Sequence, residues 1–449
     1  MASRKGSRLK NVLQKKRKIM VKKLLKNNVT LLIQQMPGCK SASIGFYFTV
    51  GSRLEKEGEY GISHFTEHML FKGTSTLTTH QIACTFDRMG AYVNAFTERE
   101  DVCLYSTLPA SKQNLKTALS MMCAMASDCT FPQNEFDREK NVVLSEISAV
   151  LDDDEESAID CLAASLWHEG DLGRTITGSA EDVLAITREQ MAVWYAKYFV
   201  HGELTVAAAG CLDEDILISE LEKLPMHQKP LNYPYECRFE KNNVWHPGIN
   251  LVKAGFKRVQ VFLMFPYKMP LDEKKYYTLS VFNSLAGDTM SSRLFESLRE
   301  QSGLCYTVYS FFTIYEDEAF WGAYASCEKD KAVQVLSKLL EEIEKLRTSP
   351  IELQEINDSI EHLCGEETLA SQDSEYIMKR LERNHLMGFT NWESDAIIKE
   401  VASVTQEEIH SLVDELFDDS KRNVLVYGAA LNSRQKKEIL CLTKETQSK

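Results

Sequence analysis

Hydrophobic positions along the chain follow two rhythms. Compact apolar runs rich in β-branched and aromatic residues, "SASIGFYFTV" (41–50) and "RVQVFLMFPY" (258–267), predict buried strands. Elsewhere the apolar residues recur at helical spacing. In "GISHFTEHMLFKGT" (61–74), Ile62, Phe65 and Met69 form a buried stripe and Gly73 is a natural stop. In "FPQNEFDREKNVVLSEISAVLDDDEE" (131–156) the stripe is Phe136, Val143, Ile147 and Val150, with Pro132 and Asn134 near the helix start.

The pattern also repeats. "AITREQMAVWYAKYF" (185–199) and "ASVTQEEIHSLVDELF" (402–417) each read as a helix leading to a strand that ends in Gly and then to another helix. Thr187 and Thr405, Phe199 and Phe417, and Gly210 and Gly428 all lie 218 positions apart (405 − 187, 417 − 199, 428 − 210). A constant offset argues for a duplicated unit. Between the copies, a proline-rich stretch without clean periodicity reads as a linker. The expected organisation is a basic tail at 1–19, a first domain at 20–225, a linker at 226–247 and a homologous second domain at 248–449.

Composition narrows the class. At 44% hydrophobic and 26% charged residues the chain fits a globular protein, and no apolar run approaches the roughly 20 residues of a membrane span. The 12 cysteines form no C-x-x-C pair and no secretory signal opens the chain. Free thiols in a reducing compartment follow, with the cytoplasm expected and the mitochondrial matrix as the alternative. Net charge is −13, yet no acidic residue precedes Glu55. The basic start reads as a solvated disordered tail, as a segment ahead of a true start at Met20, or as an organelle-targeting arm. Nucleic-acid binding is the least supported reading, because the tail lacks aromatic residues and the body is acidic. Cationic or unfolded polypeptide partners suit that body.

The candidate chemistry lies on the 61–74 helix. Positions i, i+3 and i+4 share a helix face, so His64, Glu67 and His68 point the same way. Two imidazoles so placed suit zinc, whose catalytic sites use three protein ligands and a water, with a carboxylate in reach as general base. H-x-x-E-H is the inverted zinc-protease motif. Glu67 is the candidate base. The third ligand is sought on another rigid element, and Glu146 on the 131–156 helix fits. Glu139, two turns earlier on the same face, would orient a histidine or shape the charge around the water. At the 218 offset the second half offers Phe282, Leu285 and Ala286, so it keeps the scaffold without the polar face.

These residues resemble the pitrilysin/insulinase family of inverted-motif zinc peptidases, on the branch of the mitochondrial processing peptidase β-subunit and its bacterial relatives. Blocks similar to the family's run in order: "VGSRLEKEGEYGISHFTEHMLFKGT", "GAYVNAFTEREDVCLYS", "EKNVVLSEI", "LGRTITGSAEDVLAITREQMAVWYAKYF" and "AGDTMSSRLFESLREQSGLCYTVYS". The resemblance implies an α+β fold of two homologous domains, each a mostly antiparallel sheet packed by helices, together forming half of a clam-like peptidase. It implies one Zn2+ per chain on His64, His68 and Glu146, with Glu67 as base and Glu139 in support. Substrate would add as a strand beside Asn94 and Ala95. Arg299 and Tyr306 would hold the substrate and stabilise the oxyanion. A homodimer, or a heterodimer with an inactive homologue, would complete the enclosure. Thr66 and Asp171 depart from the family's usual residues. The function implied is endopeptidase action on peptides, unfolded chains or leader segments. The alternative is a non-catalytic partner subunit or a peptide-clamping module of the same fold.

Overall fold

The computed structural model describes residues 20–445 except 169, 234, 235, 237 and 240–242. The basic tail at 1–19 lies outside the described residues. The first sheet holds β1 (Met20–Leu24), β2 (Thr30–Gln35), β3 (Ser41–Phe48), β4 (Tyr92–Thr97), β5 (Val102–Pro109) and β6 (Leu204–Gly210), in the order β1-β2-β6-β3-β5-β4. The second holds β7 (Gly248–Lys253), β8 (Arg258–Tyr267), β9 (Thr307–Ile314), β10 (Ala319–Glu328) and β11 (Asn423–Gly428), in the order β7-β11-β8-β10-β9. Neighbouring strands are antiparallel except for one parallel pair in each sheet, β2 with β6 and β7 with β11. The architecture is two α+β domains whose mostly antiparallel sheets are packed by helices.

The residues 218 apart do the same work in both sheets. Thr187 and Thr405 each cap a helix with a reciprocal capping box, to Gln190 and Glu408. Gly210 and Gly428 end β6 and β11 with φ +121° in both, and a Cβ there would lie 2.3 Å from Ser41 O and 2.4 Å from Arg258 O. Only glycine meets both demands. Phe199 and Phe417 are buried in their respective cores.

One face of each sheet carries its own domain's helices over a large core. The other face is covered by a helix from the other half. Helix Ser374–Leu386 lays Ile377, Met378 and Leu381 on Leu32, Tyr47 and Ala207 of the first sheet. Helix Glu156–Trp167 lays Leu162 and Leu166 against Phe262, Tyr324 and Leu425 of the second. A buried ion network adds to this exchange. The Arg53 guanidinium meets Glu100 at 2.6 Å, Asp171 at 3.1 Å and Asp317 at 2.8 Å. Asp317 is the second-half member of this network, and Asp171 holds the same guanidinium from the first half.

Candidate metal centre

The centre is built on helix Ile62–Met69, which buries Ile62, Phe65 and Met69 and stacks Phe65 on Phe136 with ring centroids 4.9 Å apart. Gly61 opens the helix at φ +84°, where a side chain would meet Thr177 O at 2.3 Å. Buried Glu55 caps this end: its two oxygens accept the Gly61 amide at 2.8 Å and the Ser63 amide at 2.9 Å. Phe136 belongs to the long helix Gln133–Asp152, so the same apolar contact that anchors the first helix orients the second.

That packing brings Glu146 Oε2 to 3.2 Å from His68 Nε2 and 3.8 Å from His64 Nε2. Ligand atoms of His64, His68 and Glu146 all lie within 4.8 Å of one another, the one such grouping among the described residues. Ligands about 2.0–2.2 Å from a tetrahedral ion sit roughly 3.3–3.5 Å apart, so the cluster needs only small shifts to close on one. On the other side of the ring, His68 Nδ1 lies 3.0 Å from Glu139 Oε1, and Lys72 Nζ holds the second Glu139 oxygen at 2.6 Å. With Nδ1–H donated to Glu139, Nε2 carries a lone pair facing the Glu146 oxygen. Two lone pairs at 3.2 Å call for a cation or a proton between them. The donor set of two imidazoles and a carboxylate fits zinc.

The carboxylates around the centre set the two imidazoles apart, and a cation bound between them would take the place of the proton that they draw to His68. Burial, then the neighbouring His68, pulls His64 down to about 4, leaving a neutral imidazole. Burial pulls His68 the same way, but Glu139, Glu146 and Glu67 outweigh it and hold His68 above its ordinary value. Burial would raise Glu139, yet His68 and Lys72 hold it below the usual carboxylate range. Glu67 is pushed up by burial, against a hydrogen bond from Thr97 and the pull of His68. Its Oε2 accepts the Thr97 hydroxyl at 2.7 Å.

Thr97 ends β4, a free edge of the first sheet, so the carboxylate is tied to the margin where a further strand can pair. Asn94 and Ala95 lie on this strand, and Asn94 Oδ1 accepts the Ala95 amide at 2.9 Å. Arg299 lies over the Phe295 ring at 4.7 Å and Tyr306 is 65% exposed. Among the described residues, no hydrogen bond or ion pair joins either to the centre. The positions matching the motif at the 218 offset, Phe282, Leu285 and Ala286, are buried core. The sequence reading missed Glu55, Lys72 and Thr97. Only Lys72 left a local signal, one turn beyond His68 on the same face.

The insulinase (peptidase family M16) sequence pattern matches residues 30–180, which include every residue of the centre. The pattern described as the peptidase M16 inactive domain matches residues 185–363. An uncharacterized zinc protease of Bacillus subtilis is 30% identical over 403 residues, covering 89% of this chain and 96% of its own. The chain belongs to the insulinase family, peptidase family M16. Another M16 relative, an uncharacterized zinc protease of Streptomyces coelicolor, is 28% identical over 87% of this chain and 86% of its own. The fold is shared with a peptidase M16 inactive domain from Pseudomonas fluorescens, at TM-score 0.83 and 18% identity over 92% of this chain and 98% of that one. A protease from Helicobacter pylori matches at TM-score 0.80 and 18% identity, over 91% of this chain and 99% of that one. Relatives named zinc proteases and a centre compatible with the inverted motif agree. Among the described residues no helix is long and apolar enough to cross a membrane.

Proposed function

We propose that the chain is a zinc-dependent endopeptidase that hydrolyses peptides or unfolded and leader segments. The observation carrying this reading is the convergence of His64, His68 and Glu146 with a base candidate, Glu67, on the same helix face. In this reading His64, His68 and Glu146 hold one Zn2+, and Glu139 orients His68. The ion, when bound, supplies Lewis-acid polarisation of the scissile carbonyl and of the attacking water. Glu67 accepts the proton of that water and returns it to the leaving amine. Substrate pairs as an added strand along β4 at Asn94 and Ala95, so backbone hydrogen bonds carry affinity with little sequence demand.

The domains are taken as 20–225 and 248–449, with 226–247 as linker and the second domain contacting substrate without metal. Arg299 and Tyr306 are the proposed substrate-holding and oxyanion-stabilising pair. Both are exposed and unbonded to the centre, so they meet substrate only when an enclosure closes, which a homodimer or a heterodimer with an inactive homologue would provide. The expected compartment is the cytoplasm, with the mitochondrial matrix as the alternative.

The test is Glu67→Gln in the full-length protein. Cleavage of a fluorogenic peptide should vanish while zinc content stays that of the parent. Proteolysis retained by the variant overturns the base assignment. A parent protein that neither carries zinc nor cleaves in a chelator-sensitive way favours the partner-subunit or peptide-clamp alternative.

A further inference from the structure

The hairpin tips of the two domains meet. Across the β4–β5 tip, Glu98 N donates to Asp101 O at 2.8 Å, and across the β9–β10 tip Tyr315 N donates to Glu318 O at 2.7 Å. The Glu316 amide donates to the Glu100 carboxylate at 3.1 Å, joining the tips. Beside this junction lies a cavity of about 310 Å3 with Tyr276, Phe312 and Tyr315 in its walls. That is the small end of ligand pockets.

Its carboxylates Glu100, Asp101, Glu316 and Glu382 outnumber its guanidiniums Arg238 and Arg383. Glu100 is engaged by Arg53 at 2.6 Å, and Glu316 accepts the Arg238 amide at 3.2 Å. Arg383 lies over the Tyr276 ring at 5.3 Å and donates to Asn384 Oδ1 at 3.4 Å. Asp101 of the first domain and Glu382 of the second remain. Glu382 is 8% exposed, lines the cavity and accepts no hydrogen bond among the described residues. Asp101 Oδ1 is buried with no hydrogen-bond partner. Burial first, then Asp101, pushes Glu382 well above the carboxylate range against the pull of Arg238 and Arg383, and burial with Glu98 pushes Asp101 up to about 7 against the pull of Arg238. The nearby guanidiniums offset part of the cost, but among the described residues no hydrogen bond reaches Glu382 or Asp101 Oδ1, and buried carboxyls left so are costly.

We propose that this cavity binds a small organic cation, a guanidinium or primary ammonium group on a short hydrocarbon stem, that bridges Asp101 and Glu382 across the domain junction. The positive head favours the ionised form of both groups, and a planar guanidinium can donate to each through paired N–H groups. The aromatic walls Phe312 and Tyr315 suit the hydrocarbon stem of a desolvated cation. A bare metal ion is a poorer fit, because among the described residues no third ligating group converges with this pair. The site does not depend on the peptidase reading.

Isothermal titration of the full-length protein with 1-butylguanidinium tests the proposal. The parent should show a single saturable site, and Glu382→Gln should weaken it at least tenfold. The uncharged isostere 1-butylurea should not bind. Binding should persist in His68→Ala, which separates this cavity from the metal centre. The proposal is overturned by no saturation up to about 10 mM, by equal affinity in Glu382→Gln, by equal affinity for butylurea, or by loss in His68→Ala. If circular dichroism shows that Glu382→Gln does not fold, Asp101→Asn reads the same contrast from the other domain.

Discussion

The Thr97 hydroxyl donates a 2.7 Å hydrogen bond to Glu67, tying the carboxylate on the motif helix to the end of edge strand β4. A strand added to β4 would therefore run past the same carboxylate that faces the centre. Thr97→Val keeps the shape and removes the donor. A lost hydrogen bond to a partly buried charge costs about 1.5–3 kcal/mol, so kcat/KM for a fluorogenic peptide should fall about 10- to 150-fold. Zinc content should not change. Loss of zinc from this variant would mean that Thr97 supports the helix rather than the base.

Glu139 holds His68 Nδ1 at 3.0 Å and is itself held by Lys72. Glu139→Gln should weaken zinc binding by about 10- to 100-fold, the usual effect of losing a partner behind a metal ligand. Lys72→Met, which leaves the Glu139–His68 contact in place, should weaken it less. Competition against a chelator of known affinity ranks the two. Equal zinc affinity in parent and Glu139→Gln would remove Glu139 from the account.

Glu55 predicts a pH effect. Burial pushes its carboxyl from 4.5 to about 8, against the pull of the Ser63 and Gly61 amides and of Arg174. The folded chain then binds more protons than the unfolded chain between those values, so this group's contribution to stability falls as pH rises through the window. Denaturant unfolding of the parent and of Glu55→Gln should show a stability difference that shifts against the parent from about pH 5 to about pH 9. At the acid end Glu55→Gln should be the less stable by about 1–3 kcal/mol, because its amide NH2 confronts a backbone N–H. A difference that is flat or rises with pH contradicts the buried-carboxyl reading.

Arg53 bonds carboxylates of both halves, Glu100 and Asp171 in the first and Asp317 in the second, with a fully buried side chain. Arg53→Met leaves these charges unpaired and should destabilise by about 3–5 kcal/mol, read as a lower denaturation midpoint. Arg53→Lys should recover only part of this, since one ammonium cannot reproduce the planar fork. An unchanged midpoint in Arg53→Met would show that the network contributes nothing to holding the halves together.

The polar face was legible in the sequence because helical periodicity is local: spacing alone aligned His64, Glu67 and His68, and the same rule aligned Glu139 with Glu146. The duplication was legible for a similar reason. A capping threonine and a strand-ending glycine are demanded by backbone geometry at one residue, so Thr187 with Thr405 and Gly210 with Gly428 kept their identities at one offset. Other features left no such trace. Glu55 under the helix end, Thr97 on Glu67 and helix Ser374–Leu386 on the first sheet each join segments with no shared period.

By itself, then, the sequence determined which residues line each helix face, where the repeat falls and which donor types one face offers. Tertiary structure alone decided that Glu146 stands 3.2 Å from His68 Nε2 and that Arg53 joins the two halves. It also left Arg299 and Tyr306 exposed, with no hydrogen bond or ion pair to the centre among the described residues. The division is physical: period and backbone conformation act over a few residues, whereas partnership across space depends on how separate elements pack, which one-dimensional spacing does not encode.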